Sequence, residues 1–88
     1  MLYKFYIGSN NQTGELETAK IADITSSYFD GYTAYETTGY WQGKAEKSLC
    51  VEIEKERQAE VKQLAEVLKI ELNQQAIGLA QIGKLEFI

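Results

Sequence analysis

Two hydrophobic rhythms alternate along the chain. Near the N-terminus Tyr3, Phe5 and Ile7 fall on one side of a two-residue repeat and Leu2, Lys4 and Tyr6 on the other. That spacing predicts a strand over residues 2–8, ended by Gly8. The same rhythm is cleanest over 47–54. There Leu49, Val51 and Ile53 point one way, and Ser48, Cys50, Glu52 and Glu54 the other. This describes a sheet buried on one face and wet on the opposite one. The segment 32–40 is rich in Tyr and Thr, as strands are, but alternates poorly, which predicts an edge strand with a bulge at Gly39. Residues 76–82 and 85–88 read as strand broken at Gly83-Lys84, either one bulged strand or a small hairpin.

Between these runs the period changes. Val61, Leu64, Ala65, Leu68 and Leu72 recur at helical spacing, with Val67 and Ile70 widening the stripe and Glu60, Lys62, Glu66, Lys69 and Glu71 outside it. A helix over 55–73 follows. A second helical pattern covers 16–29 through Leu16, Ile21, Ile24, Tyr28 and Phe29. Thr13 is its candidate N-cap, Glu15 and Glu17 fall where the helix dipole favours carboxylates, and Asp30-Gly31 stops it, with Gly31 free to take a positive φ. Residues 41–46 form the turn between the second and third strands.

The element order is β-α-β-β-α-β, the pattern of the ferredoxin-like α+β sandwich, an antiparallel sheet with two helices on one face. In its usual strand order, 4-1-3-2, the third strand is central and the second lies at an edge. The uncovered sheet face then carries Tyr6, Cys50, Glu52 and Tyr35.

Composition fits one domain: 88 residues, 44% hydrophobic and 25% charged. Nine basic residues against thirteen acidic ones leave a net charge of −4, which argues against nonspecific nucleic-acid binding. Cys50 is the only cysteine, so no intrachain disulfide forms and a reduced, cytoplasmic setting is the expectation. No signal segment or apolar run of membrane-spanning length is present, which predicts no membrane partner.

The chain has no histidine, which removes His-based acid–base and nucleophile systems and the usual zinc ligand sets. No cofactor is predicted. Tyr40, Trp41, Lys44 and Lys47, with Tyr35 on the preceding strand, place aromatic rings beside cations, a surface suited to a protein partner or a planar ligand such as a nucleotide. Trp41 alternatively folds over the edge of the core. The loop through Ser9, Asn10 and Asn11 leads into a helix and is a candidate anion site. Glu36, Glu52 and Glu54 are the carboxylates that a metal-assisted reaction would use.

The run from Gly31 to Glu52 resembles a family of small, functionally uncharacterised bacterial proteins that share a G-x-T, G-x-W, E-x-S succession followed by an apolar strand. The matching residues are Gly31, Thr33, Gly39, Trp41, Glu46, Ser48, Val51 and Ile53. It also resembles short proteins of phage and mobile elements. The resemblance implies a ferredoxin-like fold and carries no activity. Together these readings point to a non-enzymatic binding or regulatory module that self-associates, of the kind a phage uses against a host by binding a protein or a nucleotide signal. A small carboxylate enzyme and a structural subunit of a larger assembly are the alternatives.

Overall fold

A computed structural model describes residues 1–88 except 11, 56–57, 75–76 and 84–88; at Trp41 and Gln58 only the backbone is described. The elements are β1 (Leu2–Ile7), α1 (Thr18–Tyr28), β2 (Thr33–Trp41), β3 (Lys44–Glu54), α2 (Gln58–Glu71) and β4 (Gly78–Gly83). The strands form one antiparallel sheet in the order β2-β3-β1-β4, the ferredoxin-like arrangement. β3 is central and β2 is an edge, as the unequal quality of their patterns predicts.

Tyr3, Phe5 and Ile7 of β1 and Leu49, Val51 and Ile53 of β3 are buried against Ile21 of α1 and Val61, Leu64, Leu68 and Leu72 along α2. Burying each such side chain contributes roughly 1.5–3 kcal/mol. Ile70 departs from the predicted stripe: it is 73% exposed on the outer side of α2.

Several boundaries differ from the sequence reading, for local reasons. α1 begins at Thr18, not near Leu16, and its N-cap position is Glu17, which makes no side-chain capping bond. Thr13 does not cap it; its hydroxyl accepts the Glu15 amide, and the Asn10 carboxamide oxygen accepts the amides of Gln12 and Thr13. The polar cluster thus folds a turn of its own, and Leu16 packs on the core from outside the helix. α1 ends through Phe29, whose extended backbone still returns its amide to the Thr25 carbonyl. Gly31 does not take a positive φ.

The turn between β2 and β3 is far tighter than residues 41–46. Only Gln42 and Gly43 lie outside the strands, at φ values of 51° and 77°. This left-handed pair matches the two-residue hairpin turn whose twist suits antiparallel strands. Gly39 is not a bulge, since the register runs unbroken from Thr33↔Glu52 to Trp41↔Lys44. The irregularity lies between β1 and β4, at Leu2/Tyr3. Residues beyond Gly83, where a terminal hairpin was considered, are outside the described set.

β1 pairs with β3 only from Leu49 to Glu54. Residues 44–48 of β3 and 37–41 of β2 therefore project past the sheet as a two-stranded arm. No helix of the described residues is long and apolar enough to cross a membrane.

Candidate functional site

The helices cover one sheet face, and the strand alternation assigns the rest to the other. Residues facing each other across the ladder share a face. On the uncovered side β1 contributes Lys4 and Tyr6, β2 contributes Thr33, Tyr35, Thr37 and Gly39, and β3 contributes Glu46, Ser48, Cys50 and Glu52. Tyr6 and Tyr35 flank Cys50 from the neighbouring strands, which is why this thiol is buried on an otherwise open face.

The polar groups here are tied together. The Tyr35 hydroxyl donates to Glu52 Oε2 at 2.5 Å. Lys4 Nζ stands 5.2 Å from the Tyr6 ring centre, 5.3 Å from that of Tyr35, and 4.0 Å from Glu52 Oε2. The bond to Glu52 raises the Tyr35 pKa above the ordinary tyrosine value, and the Tyr35 hydroxyl does the same for the Lys4 ammonium. One row further along, the hydroxyls of Thr37 and Ser48 are 2.7 Å apart, with Cys50 Sγ 3.7 Å from Thr37 Oγ1.

Glu46 closes this face at the arm. Its Oε1 accepts the Ser9 amide at 2.9 Å, and the Ser9 hydroxyl donates to the Lys47 carbonyl at 2.7 Å. Its neighbours in the sheet are small: Gly39 lies opposite it, and a Cβ at Gly8 would come within 2.4 Å of its Oε1. Glu46 is four residues from Cys50, about 13 Å along the strand at roughly 3.3 Å per residue. The open face thus carries a strip of side chains, with two tyrosines and a lysine at one end, hydroxyls in the middle and the Glu46 carboxylate at the other.

The sequence-predicted residues do not form one cluster. Tyr35 lies on the open face. Tyr40 pairs with Ala45, and Lys47 with Thr38, on the helix-side face of the arm, where Tyr40 is 75% exposed. Lys44 and Lys47 instead share with Ser9 and Asn10 a groove of about 840 Å³ between the β1–α1 loop and the arm, lined also by Glu46, Glu15, Leu16, Glu36 and Gln42. The Ser9 amide is already engaged by Glu46, and the Asn10 amide by the Glu15 carbonyl at 2.8 Å. Asn11 and the Trp41 side chain lie outside the described residues. The three carboxylates do not converge. Glu36 faces the helix side, opposite Leu49, whereas Glu52 and Glu54 face the open side, and Glu54 pairs with the N-terminal ammonium. Among the described residues no group of three or more metal-binding side chains is present.

Sequence reasoning gave Glu46 no role of its own, read Gly8 only as the end of the first strand and passed over Gln74 altogether. Glu46 stood in the E-x-S motif, but its partner lies 37 residues upstream, and only the strand register joins them.

No family model matches the chain, and no curated protein does. Solved structures do. A phage SAM lyase in the apo state superposes with a TM-score of 0.66 at 13% identity over 89% of this chain and 75% of the other. The periplasmic divalent cation tolerance protein CutA from Archaeoglobus fulgidus gives 0.57 at 14% identity over 98% and 88%. A DUF3240 family protein from Shewanella baltica gives 0.57 at 13% over 97% and 96%. These likenesses establish the ferredoxin-like fold.

Proposed function

We propose that this protein is a small self-associating binding module whose open sheet face takes a nucleoside-type ligand carrying a positive charge, with S-adenosylmethionine as the first candidate. The observation that carries this reading is the Glu46 carboxylate, bonded to the Ser9 amide, at one end of a sheet face whose other end holds Tyr6 and Tyr35. A carboxylate with one oxygen engaged and one remaining suits a sulfonium or ammonium centre. Tyrosine faces suit a cation or a stacked base. The hydroxyls of Thr37 and Ser48 lie between, where a ribose or an amino-acid carboxylate would find donors. The likeness to a phage SAM lyase supports this ligand class at the level of fold. Sequestering such a molecule would make the chain an antagonist of host reactions that consume it, the phage-type role its sequence resembles.

Titration calorimetry with S-adenosylmethionine tests the reading. Binding in the micromolar range is the expected result, weakened at least tenfold by Glu46→Gln and by Tyr35→Ala. Absence of heat and of any thermal shift at millimolar ligand, for S-adenosylmethionine, S-adenosylhomocysteine and ATP alike, would overturn it.

The lyase likeness also favours a second reading, in which the bound molecule is cleaved. Chromatography of the incubated ligand separates the two. A binding module returns it intact, whereas a lyase consumes it at a rate proportional to protein.

A further inference from the structure

Glu46 stands where β3 has already left the body of the sheet, yet its carboxylate is not free to wander. The group that holds it is one peptide unit, the link between Gly8 and Ser9. The N–H of that unit donates to Glu46 Oε1 at 2.9 Å. Its carbonyl oxygen, belonging to Gly8, accepts Gln74 Nε2 at 3.1 Å, and the same nitrogen donates to the next carbonyl, Ser9, at 2.6 Å. A side chain from the connection after α2 therefore fixes the plane of the peptide whose amide aims at Glu46. A bond accepted on the carbonyl side also polarises the amide and strengthens its donation.

Gly8 has a separate part in this. Its φ lies outside the left-handed region, so backbone conformation does not demand a glycine there. The demand comes from space. A Cβ would sit 2.4 Å from Glu46 Oε1, closer than such atoms approach, with the Glu46 carboxyl carbon at 3.5 Å and Gln74 Oε1 at 3.6 Å. Any side chain at position 8 displaces the carboxylate from its seat. The atom that must yield is the tip of a flexible side chain, so the fold itself is spared.

We infer that the Gly8–Ser9 peptide is the positioning element of the ligand site. It engages one oxygen of Glu46 and leaves the other to meet a cationic centre. This rests on the reading of the open sheet face as the binding site. A long carboxylate side chain immobilised before the ligand arrives loses less conformational freedom on binding, which is how preorganisation raises affinity.

The test is a double-mutant cycle on S-adenosylmethionine binding, with Gly8→Ala, Glu46→Gln and the pair. Gly8→Ala should weaken binding about tenfold in the wild-type background and less than twofold in the Glu46→Gln background, with an unchanged melting temperature. A general structural role would weaken both backgrounds equally, and that result, or no loss at all in the single variant, would overturn the inference. The Ser9 amide resonance in a ¹H–¹⁵N spectrum gives an independent reading without ligand. It should move upfield in Gly8→Ala, which displaces the carboxylate from the amide, and by less in Glu46→Gln, whose carboxamide oxygen still accepts but without the charge. An unmoved resonance means the amide does not hold Glu46, and the inference fails. If the wild-type protein binds no S-adenosylmethionine, the proposed function fails by itself, and the amide resonance still decides whether the peptide seats the carboxylate.

Discussion

Thr25 is fully buried in the last turn of α1, and its hydroxyl has no hydrogen-bond partner among the described residues. A buried hydroxyl stripped of water and left unpaired carries a desolvation penalty, whereas an apolar group of the same shape carries none. Thr25→Val should raise the unfolding free energy by about 1 kcal/mol in a urea titration; a loss instead would mean that the hydroxyl is satisfied. The tyrosine–lysine–glutamate cluster of the open face makes a second prediction, in pH. The Tyr35 and Lys4 pKa values are both raised on folding. Groups raised on folding stabilise the native state below their unfolded values, near 10 for both types, and lose that contribution as pH rises through the folded values. Stability should fall above about pH 10, and Tyr35→Phe should flatten that limb of the curve. An identical alkaline limb in the variant would show that the cluster does not contribute.

At the scale of elements, the β2–β3 hairpin hangs on two left-handed residues. Gly43 takes φ 77° without strain, but Gln42 holds 51° against its own Cβ. Asn-Gly is the preferred pair for this turn. Gln42→Asn should therefore stabilise the protein by about 0.5 kcal/mol, and Gly43→Ala should destabilise it by about 1 kcal/mol, both read by thermal or denaturant unfolding. The same turn shows where the chain was legible. β3 announced itself because Leu49, Val51 and Ile53 obey burial on one side only, and α2 because its apolar stripe repeats over three turns. The two-residue turn stayed hidden because glutamine is a rare choice for a left-handed position and gives no signal. The start of α1 was misplaced because Asn10 and Thr13 spend their polar groups on a turn within the loop. As for the site, Tyr35 stood out as an aromatic residue in a strand that burial did not explain. Its link to Glu52 and the seating of Glu46 on the Ser9 amide arise from strand register, which no local pattern encodes.

At the scale of the molecule, one broad face of the sheet carries Tyr6 at 48% and Tyr35 at 36% exposure, and among the described residues β2 and β4 are the edge strands. A two-stranded arm is marginal in water on its own; the β1–α1 loop braces one part of it, and a second copy would bury more. Self-association should therefore appear as a mass above that of one chain in size-exclusion chromatography with light scattering, reduced by Tyr6→Arg. A single-chain mass at high micromolar concentration, for the wild-type protein, would remove this part of the proposal.

Gln74 gives the molecule a timetable as well as a brace. Its amide reaches back over a sequence separation of 65 to 66 residues to the carbonyls beside Glu46. β1 meanwhile finds its two strand partners only in β3 and β4, both synthesised later. A ribosome-bound chain, growing at ~5–20 residues per second, therefore carries Glu46, Tyr6 and Tyr35 for seconds before Gln74 is made and can hold the Gly8–Ser9 peptide in place. The seat of Glu46 and the completed sheet both wait on residues 74–83, so the hairpin that carries Glu46 exists before its brace does.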